Sequence, residues 1–224
     1  RDSYRPRMAL IDFRPLWFFG TNTYVVADGP GSAAVVIDAP PDPDGVGELL
    51  ARHDLTPVAA LVTHGHVDHV GGIDGIAGPT VHAYLHPDDL DMARHPGEQL
   101  RALMGAMAPE LVGSLVHTEF IPLEAGSTLD LAGQRFEVLF TPGHSPGHCC
   151  FLLRDDEVLF AGDQLFEGSI GRTDLPGGSY ATLMASMARE IMPLPPATRV
   201  LPGHGPTTTL AAERLHNPFL QELL

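Results

Sequence analysis

Cysteine is nearly absent from this chain of 224 residues, which holds two, Cys149 and Cys150, side by side. A bridge between sequence neighbours is strained and rare. The pair therefore excludes a disulfide-stapled fold and reads as small core residues of a strand in a reducing compartment. Basic residues are scarce as well: 13 stand against 28 acidic ones, for a formal net charge of −15. They are scattered rather than striped, so nucleic acid has no electrostatic footprint here and a phosphate backbone would be repelled at long range. Long apolar runs are missing too. The longest, such as residues 58–62, are far too short to span a bilayer. No charged-then-apolar segment opens the chain, and its first residue is Arg1 rather than Met, so a trimmed or altered native start is expected. No linker-like or low-complexity stretch interrupts it. A single domain over residues 1–224 is expected, in the cytoplasm by default, with no membrane partner and no indication of oligomeric state.

Hydrophobic residues make up 44% of the chain and the mean hydropathy is +0.05, enough for a sizeable core. Residues 22–27 and 33–38 are β-branched-rich runs around Asp28-Gly29-Pro30-Gly31, which predicts a hairpin. A helix is expected over 45–53, where Val46, Leu49 and Leu50 share a face, and then a buried strand over 58–63. A strand over 80–85 and a short helix over 88–93 follow, and then a helical excursion over 98–115 that would act as a lid or extend the core. The second half predicts strands over 127–131, 134–141, 149–153 and 157–161, with tight turns at Ala132-Gly133 and Asp155-Asp156. A helix capped by Ser179, a strand over 199–201 and a helix over 210–215 close the chain. Strand–strand–helix–strand, twice over, predicts an α/β fold of two face-to-face sheets with helices outside.

The chemistry gathers behind the strands. Thr63-His64-Gly65-His66-Val67-Asp68-His69 places four metal-ligand side chains within six residues, directly after an apolar run. His144, Asp163 and His204 each follow a predicted strand beside a glycine that permits a sharp turn. His64 and His66 are two apart, so in an extended loop their imidazoles point the same way and can share one ion. Asp68 and His69 can serve a second. Asp163 stands alone between the histidine groups and is the natural bridge. Imidazole and carboxylate suit Zn²⁺, and also Fe²⁺ or Mn²⁺. Seven ligands, none of them cysteine, favour an open catalytic pair of divalent ions over a closed structural zinc. His148, four residues past His144, is expected to orient a ligand from behind. His53, His82, His86, His95, His117 and His216 are expected at the surface or satisfied in the core.

The string His64-Gly65-His66-Val67-Asp68-His69, followed in order by His144, Asp163 and His204, resembles the metallo-β-lactamase superfamily over nearly the whole chain. The resemblance implies an αββα four-layer sandwich of two mixed β-sheets flanked by helices, with the site at one edge. It also implies His64, His66 and His144 on one ion, Asp68, His69 and His204 on the other, and Asp163 bridging. An aspartate at 163 argues against the lactamase branch whose corresponding ligand is cysteine. Residues 141–148, Gly171-Arg172-Thr173-Asp174 and His216-Asn217-Pro218-Phe219 are similar to a compact bacterial subgroup of the glyoxalase II-like hydrolases. Only 20 residues follow His204, so the helical domain with which the long form holds glutathione is expected to be missing, and the carrier thiol stays open.

Two divalent ions offset by Asp68 and Asp163 would ionise a bridging water near neutral pH and polarise a carbonyl. Thiolate leaves readily, so a small anionic thioester is the expected substrate, with Asp68 orienting or taking a proton from the nucleophile. Arg172 is expected either to clamp a substrate carboxylate or to pair with Asp174. Two other outcomes stay open. One is a persulfide dioxygenase with a single iron on His64, His144 and Asp163. The other is a lactone or ester hydrolase on the same pair of ions.

Overall fold

The computed structural model describes residues 8–107 and 115–223. Its first sheet takes its strands in chain order: β1 (Leu10–Leu16), β2 (Thr21–Ala27), β3 (Ala33–Ile37), β4 (Thr56–Leu61), β5 (His82–Leu85) and β6 (Phe120–Pro122). The expected hairpin is present, with β2 and β3 antiparallel in the register Val25↔Val36. From β3 to β6 the pairing is parallel. Such pairing needs a crossover over the sheet, and α1 (Pro43–Ala51) makes the first one. Asp42 caps that helix, its carboxylate accepting from Gly45 N at 3.0 Å, and Pro43 opens the first turn. Val46, Leu49 and Leu50 then pack on the outer face of β2 and β3 against Val25, Ala27, Ala34 and Val36.

In the second sheet β7 (Thr128–Leu131), β8 (Gln134–Phe140), β9 (Cys149–Leu153) and β10 (Val158–Gly162) form an antiparallel meander. A two-stranded hairpin, β11 (Leu165–Phe166) with β12 (Ser169–Ile170), comes next in the chain. Beyond it β13 (Arg199–Pro202) lies parallel to β10, with β14 (Thr208–Thr209) at the edge. The Ala132-Gly133 turn has positive φ at both residues, 50° and 76°, the backbone twist that a two-residue hairpin needs. The inner faces of the two sheets meet in one core, where Tyr24, Val26, Ile37 and Leu61 pack on Phe136, Phe151 and Phe160. Losing one of those buried rings would cost roughly 3–5 kcal/mol. Cys149 and Cys150 are free thiols buried in β9, and burial pushes the Cys150 thiol up to about 12. α5 (Tyr180–Ser186), α6 (Leu210–His216) and α7 (Pro218–Gln221) lie on the far side of the second sheet. The layers are thus helix, sheet, sheet, helix, the αββα sandwich with two mixed sheets that the sequence predicts.

Several expectations are corrected. β1, β6, the β11–β12 hairpin and α7 were not predicted at all. β1 alternates Asp12 and Arg14 with apolar residues and contains Pro15, so it lacks the β-branched run that marks a strand. The helix expected over 88–93 is a 3₁₀ turn (Pro87–Asp89) followed by α3 (Leu90–Arg94). Within the excursion, α4 (Pro96–Met104) ends at Gly105, whose φ is +57°, and a 3₁₀ turn reaches Met107. The rest of that predicted helix, residues 108–114, lies outside the described residues, and Leu115 is not helical. After Ser186, α5 widens into a π-helical stretch, Met187–Ile191. Among the described residues no helix is long and apolar enough to cross a membrane.

Candidate metal centre

Strand direction places the site. β3 and β4 run parallel, as do β10 and β13, while β8 runs with β10 because both are antiparallel to β9. The turns that leave the C-terminal ends of β4, β8, β10 and β13 carry His64 to His69, His144, Asp163 and His204, and these turns meet at one edge of the sandwich. α2 (Val67–Val70) begins inside the first turn and presents Asp68 and His69 from one short helix. Gly162 turns β10 out at φ +48°, and a Cβ there would come within 2.7 Å of His148 Nε2.

All seven predicted donors converge. His66 Nδ1 lies 2.9 Å from His144 Nε2, which is 3.2 Å from His64 Nε2. Asp68 Oδ2 stands 3.4 Å from His69 Nε2 and 3.0 Å from His204 Nε2. Asp163 spans the two groups: Oδ2 is 3.4 Å from His144 Nε2, and Oδ1 is 3.4 Å from His69 Nε2. Two triads, His64/His66/His144 and Asp68/His69/His204, therefore flank one carboxylate.

Hydrogen-bond partners fix which nitrogens look inward. The His69 Nδ1–H donates to Asp38 Oδ2 at 2.7 Å, and the His144 Nδ1–H donates to the Arg172 carbonyl at 2.7 Å. The His64 Nδ1–H reaches Thr63 Oγ1 at 2.9 Å, whose own hydroxyl donates to Asp38. In each ring the proton is on Nδ1, leaving the Nε2 lone pair aimed into the site. His148 cannot join them. Its Nε2 accepts from Asp163 N at 3.0 Å and its Nδ1 meets Thr141 Oγ1 at 2.9 Å, so it holds the backbone of Asp163 from behind.

The donors fit a cation. His69 Nε2 and Asp163 Oδ1 are buried without a hydrogen-bond partner, an arrangement that costs about 1–3 kcal/mol per group unless something fills it. Burial and the adjacent imidazoles hold His64 well below the ordinary histidine value, and burial with His144 beside it lowers His66 to about 3. Burial opposes charge on His69 too, yet Asp68, Asp163 and Asp38 together raise it well above that value. Lone-pair donors on one side and clustered carboxylates on the other suit divalent ions far better than protons.

Sequence reasoning missed the residues that hold this arrangement. Asp38, at the end of β3, accepts from Thr63 N at 2.8 Å as well as from His69. Asp89, fully buried, accepts from Gly65 N at 2.8 Å, Ser145 Oγ at 2.6 Å and Gly147 N at 2.6 Å, tying the His64–His66 turn to the His144 turn. Gln99 of α4 donates to the Gly65 carbonyl and accepts from Val67 N, both at 2.9 Å. Asn217, within the His216–Phe219 string that the sequence singles out, donates to the Ser169 carbonyl at 3.0 Å and steadies the β11–β12 hairpin. Asp38 had a signal, an acid directly after the β-branched run Val35-Val36-Ile37. Asp89 and Gln99 had none.

A cavity of about 790 Å³ opens in front of the donors, walled by α4, the β11–β12 hairpin and residues 172–176. Arg172 lines it, but its guanidinium is engaged by Asp174 through bonds of 2.7 and 2.8 Å, the pairing that was one of its two expected roles. Among the remaining histidines, His53 meets Asp12 at 2.8 Å, His86 stacks on Phe140 and His95 bonds the Asp91 carbonyl. They stay outside the site, as do His82, His117 and His216.

The model of the metallo-β-lactamase superfamily matches residues 16–204. Hydroxyacylglutathione hydrolase GloC of Haemophilus influenzae is 34% identical over 94% of this chain and 97% of its own. Among solved structures, the B3 metallo-β-lactamase BLEG-1 is 36% identical with a TM-score of 0.84, over 94% of this chain and 99% of that one. TTHA1623, solved in a di-iron-bound form, is 40% identical with a TM-score of 0.80, over 92% and 98%. A family match over residues 16–204, on the same sandwich as these solved structures, leaves one assignment: this chain belongs to the metallo-β-lactamase superfamily.

Proposed function

We propose that this chain is a metal-dependent hydrolase of small thioesters, working with two divalent ions, zinc before iron or manganese. The observation that carries the proposal is the pair of donor triads flanking Asp163, with His66, Asp68, His144, Asp163 and His204 lining the cavity. The relationship to a protein named hydroxyacylglutathione hydrolase supports the reaction class.

His64, His66 and His144 would hold one ion, Asp68, His69 and His204 the other, with Asp163 between them. Bound divalent ions would lower the pKa of water and polarise a carbonyl oxygen. The chain's own groups do the positioning. Asp38, Thr63 and the Arg172 carbonyl keep three imidazoles in the ligating tautomer, which a metal-ligating histidine needs. Asp68 Oδ2 accepts from Thr21 Oγ1 at 3.1 Å, which fixes the carboxylate facing the cavity where it can orient a water and accept its proton. Thiolate needs no acid to leave.

The test is metal analysis of protein purified without added metal, followed by assay of each metal-defined form on S-lactoylglutathione, a neutral thioester, a lactone, a β-lactam and a persulfide. Two ions per chain with thioester turnover are expected. Absence of thioester turnover at every metal loading would overturn the reading. Asp68→Asn is expected to keep its metal and lose at least tenfold in kcat; full rate with metal retained removes the role given to Asp68. A second reading rests on the proximity of His64, His144 and Asp163, a set that one iron could use alone. One iron per chain with oxygen uptake on the persulfide would favour that dioxygenase.

A further inference from the structure

The wall of the cavity differs from its floor. Above the five donors that reach the cavity the lining includes Phe19, Met92, Leu103, Phe166, Ile170 and Leu175, drawn from the β1–β2 turn, α3, α4, the β11–β12 hairpin and the loop behind it. The apolar surface continues over the rim. Phe18 and Phe19 are 49% and 38% exposed and pack at 4.4 Å between ring centroids, while Leu103 on α4 is 43% exposed. An aromatic cluster left open beside a cavity is the kind of apolar surface that a ligand covers. Charge is nearly absent from the same wall. All thirteen basic residues of the chain are arginines, and among the described residues Arg172 is the one that lines the cavity, its guanidinium already paired with Asp174.

We infer that the thioester this site accepts carries a neutral, apolar arm of several carbons, and that a charged peptide thiol such as glutathione is a poor carrier. This deepens the proposed function and rests on it. A glutathione conjugate brings two carboxylates and an ammonium, and among the described residues of the wall the one charged side chain is Arg172, shared with Asp174. Desolvating those groups against Phe19, Leu103 and Phe166 costs more than it returns. An alkyl or aryl arm loses nothing there and gains with each buried carbon. The arm could belong to the acyl side or the thiol side, and the chemistry of recognition is the same for both.

Two substrate series on the zinc-loaded protein separate the sources. In one, acetyl to octanoyl thioesters share the neutral thiol N-acetylcysteamine; in the other, acetyl thioesters carry thiols from ethyl to octyl. We expect kcat/KM to climb about fourfold per methylene in one series while the arm still finds wall, the equivalent of ~0.8 kcal/mol per buried CH₂. The longer members should exceed S-lactoylglutathione. Leu103→Gln and Phe19→Ser, both at partly exposed positions, are expected to shrink the octanoyl-to-acetyl ratio at least threefold. Trp17, the single tryptophan of the chain, lies 5.1 Å from Phe19 between ring centroids and gives a readout free of turnover. Titration with the non-hydrolysable thioether N-acetyl-S-octylcysteamine should shift its emission saturably, and glutathione should not. Flat profiles in both series, or S-lactoylglutathione as the best substrate, overturn this inference while leaving thioester hydrolysis intact. Saturable thioether binding without hydrolysis of any thioester supports the apolar pocket and sinks the hydrolase reading instead.

Discussion

Asp38→Asn tests the geometry of the site without touching a donor. Asp38 occupies φ +59°, a left-handed backbone that asparagine adopts as readily as aspartate, so the change leaves the chain path alone. The carboxylate accepts from Thr63 N at 2.8 Å through Oδ1 and from the His69 Nδ1–H at 2.7 Å through Oδ2. An amide has one oxygen for these two donors. If its NH₂ faces His69, the ring must take the other tautomer and its Nε2 acquires a proton where a lone pair is needed. If its NH₂ faces Thr63, two N–H groups oppose each other in a buried site. Loss of such an orienting partner lowers metal affinity about 10–100-fold, or roughly 1.4–2.7 kcal/mol. Asp38→Ala should be worse, because alanine adds about 1–2 kcal/mol of left-handed backbone strain. Competition for zinc with a chromophoric chelator measures the first effect, and thermal unfolding of the metal-free proteins measures the second. Zinc affinity of Asp38→Asn within twofold of the parent would refute the tautomer argument.

Three further outcomes follow from the same structure. Metal ions that fill the orphaned His69 and Asp163 atoms should raise the melting temperature by about 5–10 °C at a hundredfold excess over Kd, and a chelator should reverse it; an unchanged melt on zinc addition would contradict the site. Glu137 is held below its ordinary 4.5 by hydrogen bonds from Arg154. Its contribution is therefore full above pH 4.5 and fades as pH falls below it, and, being partly exposed, is worth under ~1 kcal/mol; urea midpoints at pH 7 and pH 3.5 should show a smaller gap in Glu137→Gln. Asn217 caps α7 by accepting from Phe219 N at 3.1 Å and donates to Glu213 at 2.8 Å and Ser169 O at 3.0 Å. Asn217→Ala should cost about 2–4 kcal/mol, seen as a melting temperature lower by roughly 5–15 °C with zinc affinity within twofold.

The donors were readable because each obeys a local rule. An apolar run followed by a histidine or aspartate beside a glycine needs only a few adjacent residues to be recognised, and His64, His144, Asp163 and His204 all show it. Asp68 and His69 came with His64 and His66 in the same string. Elements without a local signature were lost. β6 is three residues ending in Pro122, β11 and β12 are two residues each, and β1 spends its outward positions on Asp12 and Arg14, which answer Arg52 just past α1 and Glu48 on it. Their pairing is a consequence of the sheet and the helix already in place, not of their own composition. Asp89 and Gln99 were illegible for the same reason: nothing around Asp89 in the chain announces that Gly65, Ser145 and Gly147 will deliver donors to it.

One rule nevertheless joins the readable and unreadable groups. β3, β4 and β5 run parallel, so the end of β3 that carries Asp38, the end of β4 that carries His64 and the end of β5 that leads to Asp89 all point to the same edge. The direction that gathers His64 to His69 therefore gathers their orienting acids too, on the first sheet, while His144, Asp163 and His204 arrive from the second. Chain distance does not separate them in function: Asp38 is 31 residues from His69, and Asp89 is 58 residues from Gly147. An acid just past the C-terminal end of a parallel strand next to a ligand-bearing strand is thus a candidate to fix a histidine tautomer. Asp38 meets that criterion in the sequence alone, once β3 and β4 are recognised as parallel neighbours across a single helix. Asp89 does not, because the 3₁₀ turn at Pro87–Asp89 carries it past the strand end, and only the packed fold sets its carboxylate between the two ligand turns.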